Sequence, residues 1–244
     1  MSKSIFGCEQ IEQPKQIIIK HKNKFLPQSH ILCSITGSSG CGKSTFLLGV
    51  IDGIFNVSQI LICSLIIGNP VYDSIQKYCE RKKIDYHFSS NPIEAQNTIS
   101  ELVEKKKKDT WGVIIYDDFN QGKVQSAGNP YTKCTCMSAC MLRNYGYHMF
   151  FITQGPTNIP TTIRNNLNMR VVYKMNNRYD IISQQEDFNK CVNIPKRVFM
   201  KLYNQISKVQ FSFLMLSGNK LYIYIKDDTE IPERIHYENY DDDE

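Results

Sequence analysis

The sequence predicts an α/β fold, a mostly parallel sheet with helices on both faces and a β-hairpin near its C-terminus. Three observations carry that reading. Short apolar runs alternate with amphipathic stretches across residues 30–178, and strands apolar on both sides belong to parallel sheets covered by helices. The first of these runs opens directly into a glycine- and serine-rich loop. Toward the C-terminus two β-rich runs flank Gly218-Asn219, a hairpin signal.

Each element follows from its own residues. Residues 1–29 are polar and Lys-rich, with one β-branched run, Ile17-Ile18-Ile19, and Pro27 near their end; they are expected to form an arm or an edge strand. Residues 31–35 read as a buried strand and residues 44–55 as a helix with Phe46, Leu47, Val50, Ile51 and Ile54 on one face. Residues 59–63 form a second strand, 71–82 a second helix and 86–89 a short strand. A third helix is announced by Asn91 as N-cap, Pro92 at the first helical position and Glu94 in capping-box place. It runs to the four lysines 105–108, which suit the negative end of its dipole. Residues 113–116 and 149–152 are short and apolar enough to be central strands. Beyond Arg178 the alternation stops, and residues 211–216 and 220–226 supply the hairpin. The expected organisation is an arm (1–29), a core (30–178), an appendage (179–239) and an acidic, disordered tail (240–244).

Composition narrows the class. With 244 residues, 41% hydrophobic and 22% charged, the chain suits one globular domain rather than a disordered, collagen-like or coiled-coil protein. The net charge of +5 conceals two opposed parts. Residues 227–244 hold nine acidic side chains and one basic, a charge of −8, which leaves +13 on residues 1–226. A body that basic suits a polyanion such as nucleic acid, and equally a Lys-rich soluble surface. The most apolar stretch, residues 60–67, is less than half of the ~20 residues that cross a bilayer. No signal-peptide core begins the chain, so no membrane role and an intracellular place are expected. Nine cysteines, an odd number without an export signal, read as reduced thiols.

The glycine-rich loop carries the first chemistry. Gly37-Ser38-Ser39-Gly40-Cys41-Gly42-Lys43-Ser44 fits G-x-x-x-x-G-K-[ST] without a mismatch, with Thr45 following. In this pattern the glycines let backbone amides turn inward around the β- and γ-phosphates, Lys43 adds positive charge, and Ser44 offers its hydroxyl to Mg²⁺. A helix start behind the loop favours the same anion. ATP and Mg²⁺ are therefore the expected cofactors.

Asp117 and Asp118 end the apolar run 113–116. Adjacent carboxylates there repel each other and pack against nothing, so either they sit on a solvated strand end or they serve the phosphate site. With the loop present, Asp117 is expected to hold Mg²⁺ through water and Asp118 to act as general base on the attacking water. No acceptor-binding feature suggests a small-molecule kinase. Gln154, just after the strand 149–152, stands where a side chain could touch the γ-phosphate or its water. Arg143 before that strand and Arg164 after it are both candidates for an arginine finger supplied to a neighbouring subunit.

The phosphate loop, the Asp-Asp pair and the string Arg143-x10-Gln154-x5-Pro160-x3-Arg164-x-Asn166 resemble the poxvirus-type DNA-packaging ATPases. These are the viral branch of the FtsK/HerA superfamily, found in large DNA viruses, Polinton-like elements and virophages. The short, lysine- and asparagine-rich chain is most similar to the virophage members. The resemblance covers about residues 30–175 and rests on the Arg-Gln-Pro-Arg-Asn spacing. It implies a RecA-like P-loop NTPase core of the additional-strand type. It also implies a homo-oligomeric ring, a pentamer or hexamer, that drives double-stranded DNA into a preformed shell of capsid proteins in the cytoplasm of an infected host. Gln154 would then be the γ-phosphate sensor, with Arg143 ahead of Arg164 as the finger in trans. Asp118 departs from the cellular members, which usually carry Glu; the viral members share the Asp-Asp pair. Two rivals stand beside this reading: a helicase or DNA-segregation pump of a mobile element, and an assembly protein switched by ATP with little turnover.

Weaker signals remain. Cys134, Cys136 and Cys140 with His148 nearby contain donors for zinc, but CxC-x3-C is not a common zinc spacing. Lys20, Lys22 and Lys24, Arg81-Lys82-Lys83 and the lysines 105–108 suit either DNA phosphates or solvated element ends.

Overall fold

The computed structural model describes residues 24–118, 135–136, 139, 141–226 and 233–235. Most of the N-terminal arm, the acidic tail, Cys134 and Cys140 lie outside the described residues.

Among the described residues nine strands form one sheet in the order β3-β2-β4-β5-β1-β6-β7-β8-β9. The strands are β1 (Leu32–Thr36), β2 (Val57–Ser64), β3 (Asp85–Ser89), β4 (Trp111–Asp117), β5 (Tyr147–Thr153), β6 (Met169–Val172), β7 (Phe213–Ser217), β8 (Lys220–Tyr224) and β9 (Glu233–Ile235). All pairings from β3 to β6 are parallel, and those from β6 to β9 are antiparallel. The loop-bearing strand β1 and the carboxylate-bearing strand β4 are therefore separated by β5. This inserted strand is what the additional-strand expectation requires. The hairpin turns at Gly218-Asn219, between paired Ser217 and Lys220, and β7 pairs with β6. The C-terminal segment thus continues the sheet of the core.

Alternate residues of the central strands feed two faces. Val113, Ile115, Phe150 and Ile152 pack with Leu47, Val50 and Ile51 of helix α1 (Lys43–Gly53) and Ile75 and Cys79 of helix α2 (Pro70–Lys82). Ile114, Tyr116, Met149 and Phe151 face the other way, against Ala95, Ile99 and Leu102 of helix α3 (Pro92–Lys105). Two further helices, α4 (Arg178–Val192) and α5 (Lys196–Lys208), cover β6, β7 and β8 on that second face through Phe188, Phe199, Leu202 and Ile206. Helices on both faces are as expected. No helix among the described residues is long and apolar enough to cross a membrane.

Because β1 to β6 run parallel, every loop after one of these strands opens on one edge of the sheet and every loop before one on the other. That places the site.

Candidate phosphate site

The loop from Gly37 to Lys43 joins β1 to α1. The Gly37 amide donates to Thr153 O at 3.2 Å, and the Ser38 amide to Lys174 O at 2.8 Å, which pins the loop between β5 and the segment after β6. A Cβ on Gly37 would stand 2.6 Å from Tyr173 Cβ, so no larger residue fits there. From residue 39 to residue 45 no amide is taken by a backbone carbonyl among the described residues; the next, Phe46, donates to Gly42 O at 2.9 Å. That run of donors at the start of an eleven-residue helix has the chemistry of a phosphate cradle.

Lys43 is buried, and its ammonium donates to Gly37 O at 2.7 Å and Ser38 O at 2.8 Å, so the charge is held inside the loop. Ser44 is half-buried and Thr45 exposed, both on the first turn of α1. Burial pushes the Cys41 thiol up, with the Lys43 charge pulling the other way. Cys41 is accordingly a small filler rather than a reactive thiolate.

Asp117 ends β4 and is buried; the Tyr72 hydroxyl, from the first turn of α2, donates to its Oδ2. Burial raises the Asp117 carboxyl above its ordinary range; the Tyr72 hydrogen bond and the Lys43 charge oppose the rise, and the Asp118 charge adds to it. Asp118 follows with φ of +46°, left-handed for a non-glycine residue, its amide donating to Ile152 O at 2.9 Å. Its Oδ1 is buried without a hydrogen-bond partner among the described residues. A strained backbone that presents an unpaired carboxylate oxygen is the kind of arrangement kept at functional sites.

Gln154 is exposed immediately after β5, whose Thr153 pairs with Thr36 of β1 and accepts from the Gly37 amide. The phosphate loop, Gln154 and the Asp117-Asp118 pair thus leave the ends of three adjacent strands on one edge. The donor run and the acceptor-only carboxylates fit a magnesium-bound triphosphate: amides and Lys43 for its anionic oxygens, the Ser44 hydroxyl and Asp117 for the metal.

The arginines part company. Arg143 is exposed in a 3₁₀ turn before β5, near enough to His30 for its charge to join burial in lowering that imidazole. It stands on the edge opposite Gln154, separated by a seven-residue strand, or about 20 Å. Arg164 is engaged within its own chain. Its guanidinium donates to Ser183 Oγ at 2.9 Å and pairs with Asp187 Oδ2 at 3.4 Å, both on α4.

Several neighbours of the site carried no local signal. Tyr72 is one. Helix α4 supplies more: the Thr36 hydroxyl lies 3.4 Å from Gln184 Oε1, and the Asp180 carboxylate accepts from Thr157 at 2.8 Å. Asp180 packs so closely on Gly155, the residue after Gln154, that a Cβ there would lie 2.5 Å from it. Asp180, Ser183, Gln184 and Asp187 lie at i, i+3, i+4 and i+7, so one polar stripe touches the end of β1 and the segment after Gln154. His148, by contrast, is a core residue: its Nδ1 accepts from the Ile31 amide at 2.9 Å and its ring stacks on Trp111. No cluster of three metal-ligating side chains occurs among the described residues.

The sheet order, the loop and the strand-end carboxylates together define an α/β P-loop NTPase fold of the RecA-like type. Solved structures agree. The chain is similar to the genome packaging NTPase B204 from Sulfolobus turreted icosahedral virus 2, in its complex with sulfate, at a TM-score of 0.57 and 14% identity, with 80% of this chain and 96% of that one covered. It is also similar to B204, the DNA-packaging ATPase from Sulfolobus turreted icosahedral virus, at 0.56 and 13%, with 79% and 95% covered. ATPases 2 and 3 of EssC from Geobacillus thermodenitrificans give 0.54 and 15%, over 82% of this chain and 40% of that one. No protein-family model matches the sequence, and no curated protein does.

Proposed function

We propose that this chain is an ATP-hydrolysing motor that moves double-stranded DNA during viral genome packaging, of the poxvirus type and nearest to the virophage members. The observation that carries the proposal is the convergence of the phosphate loop, Gln154 and the Asp117-Asp118 pair at the ends of β1, β5 and β4. Likeness to B204 over nearly its whole length supports the packaging role.

The residues divide the work as follows. The amides of residues 39–45 and the Lys43 ammonium bind the phosphates and offset charge that builds up in the transition state. The Ser44 hydroxyl and the Asp117 carboxylate would hold Mg²⁺, which would supply positive charge against the phosphate oxygens. Tyr72 keeps one Asp117 oxygen oriented. Asp118, with an oxygen unpaired among the described residues and a strained backbone, accepts a proton from the attacking water. Gln154 senses whether the γ-phosphate is present.

Arg143 is the preferred trans finger. It is exposed and far from its own loop, whereas Arg164 is held by Ser183 and Asp187. A finger in trans calls for a homo-oligomeric ring, five- or six-membered, and exposed Leu65, Ile66 and Ile67 after β2 support a protein interface. The exposed Arg81, Lys82, Lys83, Lys105, Lys107 and Lys108 all precede parallel strands, on the edge away from the phosphate loop, which supports a track for a polyanion. Capsid proteins would be the docking partners, in the host cytoplasm.

Lys43→Ala tests the site at its root. Nucleotide affinity and turnover should each fall by about a hundredfold or more. Unchanged affinity in a titration with ATP would remove the phosphate-site assignment.

A further inference from the structure

The phosphate loop has two flanks, and the proposed chemistry uses one. Along the sheet the order β4-β5-β1-β6-β7 puts Asp117 and Gln154 to one side of the loop and the start of β7 to the other. Because β7 is antiparallel to β6, with Leu214 beside Val172, its beginning lies on the same edge as the loop. Phe211 sits there, two residues before β7. A Cβ on Gly42 would lie 3.1 Å from Phe211 Cδ1, so the ring edge abuts the last glycine of the motif.

Two properties of Phe211 are unexplained by packing. It is 38% exposed, although Phe199 and Tyr203 of α5 and Phe213 and Tyr222 of the hairpin beside it are buried. Its φ is +67°, and it is the one aromatic residue with a left-handed backbone among the described residues. A bulky side chain there is strained, and such strain persists where function requires it. One face of the ring already takes a cation, the Lys226 ammonium at 5.0 Å from the centroid.

We infer that Phe211 is the platform on which the nucleobase stacks. The inference rests on the reading of the loop as a triphosphate site. A triphosphate whose γ end faces Asp117, Asp118 and Gln154 must send its other end away from β4 and β5, past Gly42. There the ring face is the apolar group at hand, about two strand spacings, or roughly 10 Å, from β1. Stacking on an aromatic ring is favourable for any base, because every base has a π face. A base entering this flank either takes the face opposite Lys226 or replaces its flexible ammonium arm.

The test compares ATP with inorganic tripolyphosphate, which has the phosphates and no base. Phe211→Gly removes the ring while keeping a residue that adopts φ of +67° readily, and Phe211→Tyr keeps the aromatic face. By calorimetric titration, Phe211→Gly should bind ATP about tenfold or more weakly than the wild type. Its affinity for tripolyphosphate should stay within about twofold, and Phe211→Tyr should bind ATP as the wild type does. ATP affinity untouched in Phe211→Gly overturns the inference. So does an equal loss for ATP and tripolyphosphate, which would make Phe211 a support of the loop. A wild-type protein that binds neither ligand removes the triphosphate reading itself, and this inference with it.

Discussion

The two edges of the parallel sheet are built on opposite principles. On the edge where β1, β4 and β5 end, polar groups are buried, partly unpaired or strained: Lys43 inside its loop, Asp117 under Tyr72, and Asp118 at positive φ with a buried oxygen that has no partner among the described residues. On the edge where those strands begin, charges are exposed and extend from element ends: Arg143, the lysines at 105, 107 and 108, and Arg81 to Lys83. The first edge stores unfavourable electrostatics, chiefly the burial of Asp117 beside Asp118, that a cation held there would relieve. The second costs the fold little and presents positive charge outward. In the proposed function the first edge is where a nucleotide would react and the second is where a long polyanion would be met.

The largest expected effect probes that separation through the two arginines. Arg143→Ala should keep its melting temperature and its ATP affinity yet lose about a thousandfold in turnover, the loss expected of an arginine finger. Mixing it with Asp118→Asn should restore part of the turnover, because mixed rings then contain some interfaces with an intact loop facing an intact finger. Arg164→Ala should behave differently. Asp187 would be left buried with only Lys190 at 3.8 Å, and stability should fall by about 2 kcal/mol. Mixtures that stay inactive with Arg143→Ala and recover with Arg164→Ala would reverse the assignment.

A smaller effect concerns the cost stored at the reactive edge. The Asp117 carboxyl is held above its ordinary range, chiefly by burial. A native value above the unfolded one means the ionised form is disfavoured in the fold. That cost is absent below the unfolded value, grows as pH rises from there toward the native value, and is complete above it. Asp117→Asn should therefore lose hydrolysis but melt higher than the wild type at about pH 8, by about 2–4 °C per kcal/mol recovered. The advantage should shrink as pH falls toward the ordinary carboxylate range. A lower melting temperature at every pH would mean that the Tyr72 bond outweighs the burial cost.

What the sequence disclosed follows the same division. The phosphate loop, Asp117-Asp118 and Gln154 were legible because their chemistry is local: eight contiguous residues, two at a strand end, one just after another strand. The central strands were legible because buried parallel strands are continuous apolar runs. Strand β6 was not, since Arg170 interrupts Met-Arg-Val-Val and is accommodated by carbonyls of Leu167 and Arg164 that only the folded chain supplies. Helix α5 carries a periodic face, Val198, Phe199, Leu202, Tyr203 and Ile206, that was open to detection. Tyr72, Asp180, Gln184 and Phe211 were not, because each reaches the site from another part of the chain. Tyr72 meets Asp117 across 45 positions and Gln184 meets Thr36 across 148, and nothing in the local pattern reports such pairings.

The central claim is that ATP hydrolysis on one edge is coupled to DNA on the other. Steady-state ATP hydrolysis with and without double-stranded DNA, on a sample whose oligomeric mass has been measured, tests it most directly. The account predicts a five- or six-subunit assembly whose turnover rises severalfold on double-stranded DNA and vanishes in Lys43→Ala. Tight ATP binding with slow turnover indifferent to DNA would contradict it, and would favour an assembly protein that uses ATP as a switch.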